Sequence, residues 1–144
     1  MKRKFGLNKH GKSEKQKAVH KLDTALSTLI RSNGEACATC GQQHDVYDCG
    51  HFRRREYMST RFDYKNVAKQ GVKENRFDGG KPYEFALYID KKWGKGTAQK
   101  LYKRSQEIWQ WEVKELDCLT DCAKRGFNVY KQQYDIFAAE KAKK

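Results

Sequence analysis

His51 is the residue best suited to take a proton from water. It stands in Asp48-Cys49-Gly50-His51-Phe52, with Arg61-Phe62-Asp63, Asn66-Val67 and Asn75 downstream. Hydrolysing a phosphodiester needs a base that works near pH 7, which a neutral imidazole provides. It also needs a divalent ion to neutralise charge building on the phosphate and the leaving oxygen. Asp48, three residues before His51, offers a hard oxygen ligand, and Asn75 offers another from the helix side. Asn66 would hold the loop between two strands or orient His51 through its amide. A lone histidine is more often an ordinary surface or core residue, so it is the order and spacing of the four that carry weight.

That order is a histidine on one short strand, an asparagine opening the next and a polar ligand before a helix. It is the order of an HNH, or His-Me finger, nuclease core, in which a ββα unit grips one Mg2+ or Mn2+ ion. Arg53, Arg54, Arg55, Arg61 and Lys65 crowd the same hairpin, interleaved with Phe52, Tyr57, Phe62 and Tyr64. They supply charge for a phosphate backbone and faces for stacking. The plainer reading makes the aromatics core, which suits Phe52 and Phe62, and the arginines a solvated face. Arg53 to Arg55 cannot all point one way along a strand.

The elements that must position these residues follow from patterning. Residues 1–12 carry Lys2, Arg3, Lys4, Lys9 and Lys12 without an acid and read as a basic arm that meets phosphate, or as a solvated tail. Ser13 and Gln16 form a capping box for a helix over 13–34, with Val19, Leu22, Leu26, Leu29 and Ile30 on one face and Asn33-Gly34 as its stop. Residues 35–95 form the expected ββα core, with a Cys37-x-x-Cys40 knuckle, short strands around Val46-Tyr47 to His51 and at Asn66-Val67-Ala68, and a helix from Pro82 to Trp93 ended by Gly94. Residues 96–144 are a helical extension. Thr97 caps one helix on which Leu101, Ile108 and Val113 or Leu116 recur, and a last segment from about Thr120 carries Tyr130, Tyr134 and Phe137. Gly126 costs a helix about 1 kcal/mol relative to alanine, which marks a break. The expected class is α+β: a small ββα-metal core flanked by an N-terminal helix and two or three C-terminal helices, mostly helical in total.

Bulk composition agrees with a nucleic-acid partner. In 144 residues, 31 Lys and Arg against 18 Asp and Glu give a formal charge of +13, the footprint of a polyanion binder, although solubility alone also favours basic chains. No apolar run approaches the ~18 residues of a membrane span. The start, Met1-Lys2-Arg3-Lys4, lacks the hydrophobic segment of a secretory signal. A cytoplasmic setting keeps thiols reduced, so the five cysteines read as metal ligands or small buried residues rather than disulfides.

The chain also resembles a known family, the bacteriophage NinG/Rap recombination proteins. The resemblance spans about residues 21–105. It rests on the Leu-Ile-Arg end of the first helix, Cys37-Ala-Thr-Cys40-Gly41, Asp48-Cys49-Gly50-His51-Phe52, Arg61-Phe62-Asp63, Asn66-Val67 and Gln70. Asn75-Arg76-Phe77, Gly79-Gly80, Tyr83-Glu84-Phe85, Leu87, Asp90 and Trp93-Gly94-Lys95-Gly96-Thr97-Ala98 extend it. It implies an HNH-like endonuclease acting on branched DNA of Holliday-junction or flap type, in the cytosol of a bacterial host. The family closes a tetrahedral zinc site with Gln-Cys-x-x-Cys-Asn after the second strand, whereas this chain reads Gln70-Gly71-Val72-Lys73-Glu74-Asn75. Cys37 and Cys40 supply only two of the four ligands that structural zinc takes. Three outcomes stay open: Cys118 and Cys122, on one helical face, complete the site; Glu74, His44 or Cys49 give a mixed site; or no zinc is bound and packing replaces it. The plainer reading of Cys118 and Cys122 is two buried apolar side chains.

Two functional readings follow. One is a metal-dependent, structure-selective endonuclease with His51 and Asn66 as catalytic residues and Asp48 and Asn75 at the Mg2+ or Mn2+ ion. The other is an inactive DNA-binding or protein-interaction module on the same scaffold. A second copy of the chain is a candidate partner in either.

Overall fold

The computed structural model describes residues 11–143, so Lys2, Arg3 and Lys4 of the expected basic arm lie outside the described residues. These residues form six helices and one two-stranded antiparallel sheet, a mixed and mostly helical architecture. Two compact units share them, residues 27–110 and, among the described residues, 11–26 with 111–143. The boundary expected at 95/96 falls inside the first of these.

Helix α1 (Glu14–Arg31) lends residues to both units. Its start is the capping box: the Ser13 N–H donates to Gln16 Oε1 at 2.9 Å and the Gln16 N–H to Ser13 Oγ at 3.2 Å. This satisfies two amides that a helix N-terminus otherwise leaves unpaired. The apolar spacing buries Leu22 and Leu26 in one unit and Ile30 in the other.

In the unit of residues 27–110, strand β1 (Tyr47–His51) pairs with β2 (Val67–Gly71), with His51 opposite Val67 and Tyr47 opposite Gly71. Helix α2 (Val72–Arg76) begins without an intervening loop, so the hairpin runs straight into a helix. Alternation along the pleat puts Tyr47, Cys49 and His51 on one face of β1 and Asp48 and Gly50 on the other. Opposite Asp48 lies Gln70, fully buried, whose Nε2 donates to Gly80 O at 2.8 Å and to Thr39 Oγ1 at 3.2 Å. Gly50 makes room for it: a Cβ at residue 50 would stand 2.1 Å from Gln70 Oε1.

Ala68 of β2 packs against Phe85 and Ile89 of α3 (Pro82–Trp93) and Ala98 and Leu101 of α4 (Thr97–Ser105). Truncating a buried Phe such as Phe85 to Ala costs about 3–5 kcal/mol, so this cluster is the spine that supports the hairpin. Thr97 does not cap α4. The Asp90 carboxylate accepts the Ala98 N–H at 2.9 Å, and the Thr97 hydroxyl donates instead to Gly94 O at 2.7 Å. Helix α4 ends at Ser105, which leaves Ile108 88% exposed rather than on a buried stripe.

The other unit combines the start of α1 with α5 (Val113–Arg125) and α6 (Phe127–Ala142). Gly126, at φ 133°, breaks the two helices apart in a conformation that residues with a Cβ rarely adopt. Leu116, Leu119, Tyr130 and Tyr134 are fully buried, and Trp111 packs on Tyr134 and Phe137 with ring centres 6.0 and 6.4 Å apart. These aromatics therefore build the interior of this unit. Among the described residues no helix is long and apolar enough to cross a membrane.

Candidate functional site

The buried side chain of Asn66 pins the loop that follows His51. Asn66 Oδ1 accepts the Arg53 N–H at 2.8 Å, its Nδ2 donates to Arg53 O at 3.0 Å, and its backbone carbonyl accepts the Phe52 N–H at 2.8 Å. Both atoms of the amide are therefore committed to the peptide of Arg53. Asn66 holds the loop, the first of the two roles its sequence position allowed, and its amide atoms do not orient His51.

His51 Nε2 lies 3.2 Å from the carbonyl oxygen of Arg61, across the same loop. A carbonyl only accepts, so this contact assigns the ring proton to Nε2 and the basic lone pair to Nδ1.

Asp48 reaches the opposite side of β1, toward α2. Its Oδ2 accepts from Asn75 Nδ2 at 2.9 Å and from Arg76 Nε at 2.8 Å, and its Oδ1 accepts from Arg76 Nη2 at 2.8 Å. The Arg76 guanidinium, helped by the Asn75 amide, holds the Asp48 carboxyl below its ordinary range. A hydrogen bond thus joins Asn75 to Asp48, while His51 lies on the other face of β1 beside the 52–66 loop that Asn66 holds.

Sequence reasoning gave Arg76 no role. The available signal was a cation placed directly after Asn75 on a helix that follows β2 without a break.

Asp48 offers carboxylate oxygens of the kind a hard cation takes, but here Asn75 turns its Nδ2 toward them and the Arg76 guanidinium is the positive charge that satisfies Asp48.

The arginines of the hairpin divide in the same way. Arg53, expected to contact nucleic acid, is stacked between the rings of Tyr57 and Tyr102, 4.8 and 4.5 Å from their centres, while its Nε donates to Ser105 Oγ at 2.9 Å. These contacts make it a cross-brace between the loop and α4. Arg61 donates to the Arg55 carbonyl at 2.9 Å and so also ties the loop. Arg54 and Arg55 are exposed, Arg54 beside Glu56 at 3.3 Å, and the ammonium of Lys65 lies over the Tyr64 ring.

A second cluster lies at the other end of the hairpin. Ligand atoms of Cys37, Cys40, His44 and Glu74 all fall within 4.8 Å of one another and could hold a metal ion. Cys40 Sγ is 3.1 Å from His44 Nε2, Cys37 Sγ is 3.3 Å from Glu74 Oε1, and His44 Nε2 is 3.7 Å from that same oxygen. On a tetrahedral zinc ion, thiolate and imidazole ligands stand about 3.5–3.8 Å apart, so the set needs only small adjustments to close on one centre.

Local turns build this cluster. Gly41 N donates to Cys37 O at 2.9 Å, the Gly71 N–H donates to Cys37 Sγ at 3.2 Å, and the Tyr47 hydroxyl accepts the His44 N–H at 2.8 Å. Burial, with the neighbouring Cys37 and Glu74, pushes the Cys40 thiol up; a bound cation would reverse that direction.

Of the outcomes left open by the sequence, the gathered ligands are those of the mixed set, with His44 and Glu74 beside the two cysteines. Cys49, Cys118 and Cys122 are not among them. Cys122 is buried on α5, where burial pushes its thiol up.

No protein-family model matches this chain, and no curated protein or solved structure is significantly similar to it.

Proposed function

We propose that this chain is a metal-dependent endonuclease of a phage or prophage, cutting branched DNA of Holliday-junction or flap type. The observation that carries the reading is the pairing of Asp48 with Asn75, 2.9 Å apart on the strand and helix of one β-hairpin–helix unit. His51 lies on the same strand, and Asn66 pins the loop beside it. The resemblance to the NinG/Rap proteins supports the same reading.

Asp48 and Asn75 are the residues that would hold Mg2+ or Mn2+ once Arg76 yields its place. When bound, that ion supplies positive charge to the phosphate and the leaving oxygen. His51 takes the proton of the attacking water through Nδ1, and Arg54, Arg55 and Lys65 meet the phosphate backbone. For the cluster of Cys37, Cys40, His44 and Glu74 we assign zinc in a structural role, since two thiolates with an imidazole suit that ion and not a hard one.

One observation favours a second reading, a DNA-binding or interaction module without activity: both oxygens of Asp48 are occupied by Arg76. Incubating the purified chain with Holliday, flap and linear duplex DNA and Mn2+, beside a His51→Ala variant, separates the two. Cleavage by the unmodified chain alone supports the nuclease. Binding with no cleavage by either supports the module.

A further inference from the structure

Gly71 ends β2 with φ −57° and ψ 146°, an extended conformation open to any residue. Its lack of a side chain is therefore not a requirement of the backbone. What a side chain would meet is the ligand cluster: a Cβ at residue 71 would lie 2.4 Å from Glu74 Oε1, so that carboxylate must move, and 3.0 Å from His44 Nε2, which must give by a few tenths of an ångström. The missing side chain points at the two atoms that join Cys37 and Cys40 in the ligand cluster. The Gly71 N–H meanwhile donates to Cys37 Sγ at 3.2 Å, so the same residue steadies the cysteine half of the cluster from its backbone.

Resting on the reading of this cluster as a zinc site, we infer that Gly71 determines its ligand set: the bare Cα admits His44 and Glu74 and yields a two-thiolate, one-imidazole, one-carboxylate site. Any side chain at residue 71 displaces the imidazole and carboxylate from the position they need. A thiol placed there would itself point at the ion and compete with them for it. Residue 71 supplies no ligand of its own yet controls which atoms bind.

The test is a Co2+ titration of the full chain, followed by zinc competition. The unmodified chain takes one Co2+ and develops visible bands of a tetrahedral ion with thiolate-to-cobalt absorption in the near ultraviolet. Gly71→Ala weakens binding by on the order of tenfold or more, and Gly71→Cys raises the thiolate absorption by about half, from two sulfur ligands to three. Circular dichroism checks that each variant folds.

A cycle with Glu74→Ala isolates the steric effect. Once the carboxylate is gone, Gly71→Ala has most of its penalty removed. An equal loss in both backgrounds, or a Gly71→Ala chain that binds as the unmodified one does, overturns the role of Gly71 while the site stands. Failure of the unmodified chain to take either ion overturns the zinc reading itself.

Discussion

Arg76 grips Asp48 with two parallel hydrogen bonds of 2.8 Å, from Nε to Oδ2 and from Nη2 to Oδ1. Planar fork-to-fork pairing of this kind is the strongest arrangement open to an exposed arginine. It also engages both oxygens of the carboxylate that the nuclease reading gives to a divalent cation. Arginine and cation therefore compete for one acceptor, and the outcome is measurable.

Replacing Arg76 with Ala removes the competitor. Mn2+ affinity, read by electron paramagnetic resonance of free against bound ion, should rise on the order of tenfold. An unchanged or weaker affinity would show that Arg76 is part of the site's scaffold and that Asp48 is not a ligand.

His51→Ala should lower cleavage of branched DNA by on the order of 10²–10⁴-fold, the usual contribution of a general base. Affinity for the same DNA in the presence of Ca2+ should stay within about twofold, because the imidazole meets water rather than the phosphate backbone. A parallel loss of binding and cleavage would instead make His51 a contact residue.

Asn66→Ala should destabilise the unit of residues 27–110 by about 1–3 kcal/mol in denaturant unfolding, since the partly buried peptide of Arg53 loses both partners at once. Asn66→Asp keeps the acceptor and loses only the donor. It should fall between the two, and equal stability of Ala and Asp variants would contradict the role of the amide as a loop clamp.

The hairpin arginines should separate by salt dependence. Arg54→Ala is expected to reduce the slope of log affinity against log salt by about one, as a lost phosphate contact does. Arg53→Ala should leave that slope unchanged and lower stability by roughly 1–2 kcal/mol, through the loss of two stacked rings and the bond to Ser105.

Stability against pH follows from the carboxyl groups of Asp48 and Glu35. Asp48 is held low by Arg76 and Asn75. Burial pushes Glu35 up, but the Lys92 ammonium and the Tyr88 hydroxyl outweigh it and the net direction is down. A lowered folded-state value means the contribution is complete above the ordinary values of 3.8 and 4.5 and is lost as pH falls below them. Thermal melts should therefore lose stability between about pH 5 and 3, with a smaller loss in Glu35→Gln. Tyr88 shows the opposite sign: burial and Glu35 push its hydroxyl above the ordinary 10. In alkaline ultraviolet titration it should ionise after the exposed tyrosines.

Periodicity and punctuation read most of the fold. The Ser13 and Gln16 capping box, the helix from Pro82 to Trp93 and the break at Gly126 all lie where local chemistry places them, because each depends on residues within one turn of each other. Thr97 and Ile108 went otherwise. Asp90 lies seven residues before Thr97 in sequence yet meets the first turn of α4, and only the packing of α3 on α4 brings it there.

The candidate site divides similarly. Asp48 with Asn75 and the loop-holding role of Asn66 follow from motif order. Arg53 as a brace and Arg76 as a clamp depend on partners that no spacing rule identifies, Tyr102 and Ser105 in one case and a strand carboxylate in the other. The cluster of Cys37, Cys40, His44 and Glu74 was legible only as one of several completions, since His44 and Glu74 are joined to the cysteines by the fold of the hairpin, close against the bare Cα of Gly71.

One unit draws on residues before 27 and after 110, while the other is formed by the stretch between. During synthesis the hairpin-bearing stretch is complete once residue 110 has left the ribosome, so it can fold while the terminal helices are still being made. The helical unit must wait for residues beyond 110, because Leu22 and Leu26, buried within it, lie on a helix made long before them. A stall late in translation would therefore leave the hairpin formed but the helical unit open, with an apolar helix face offered to chaperones or to other unfinished chains.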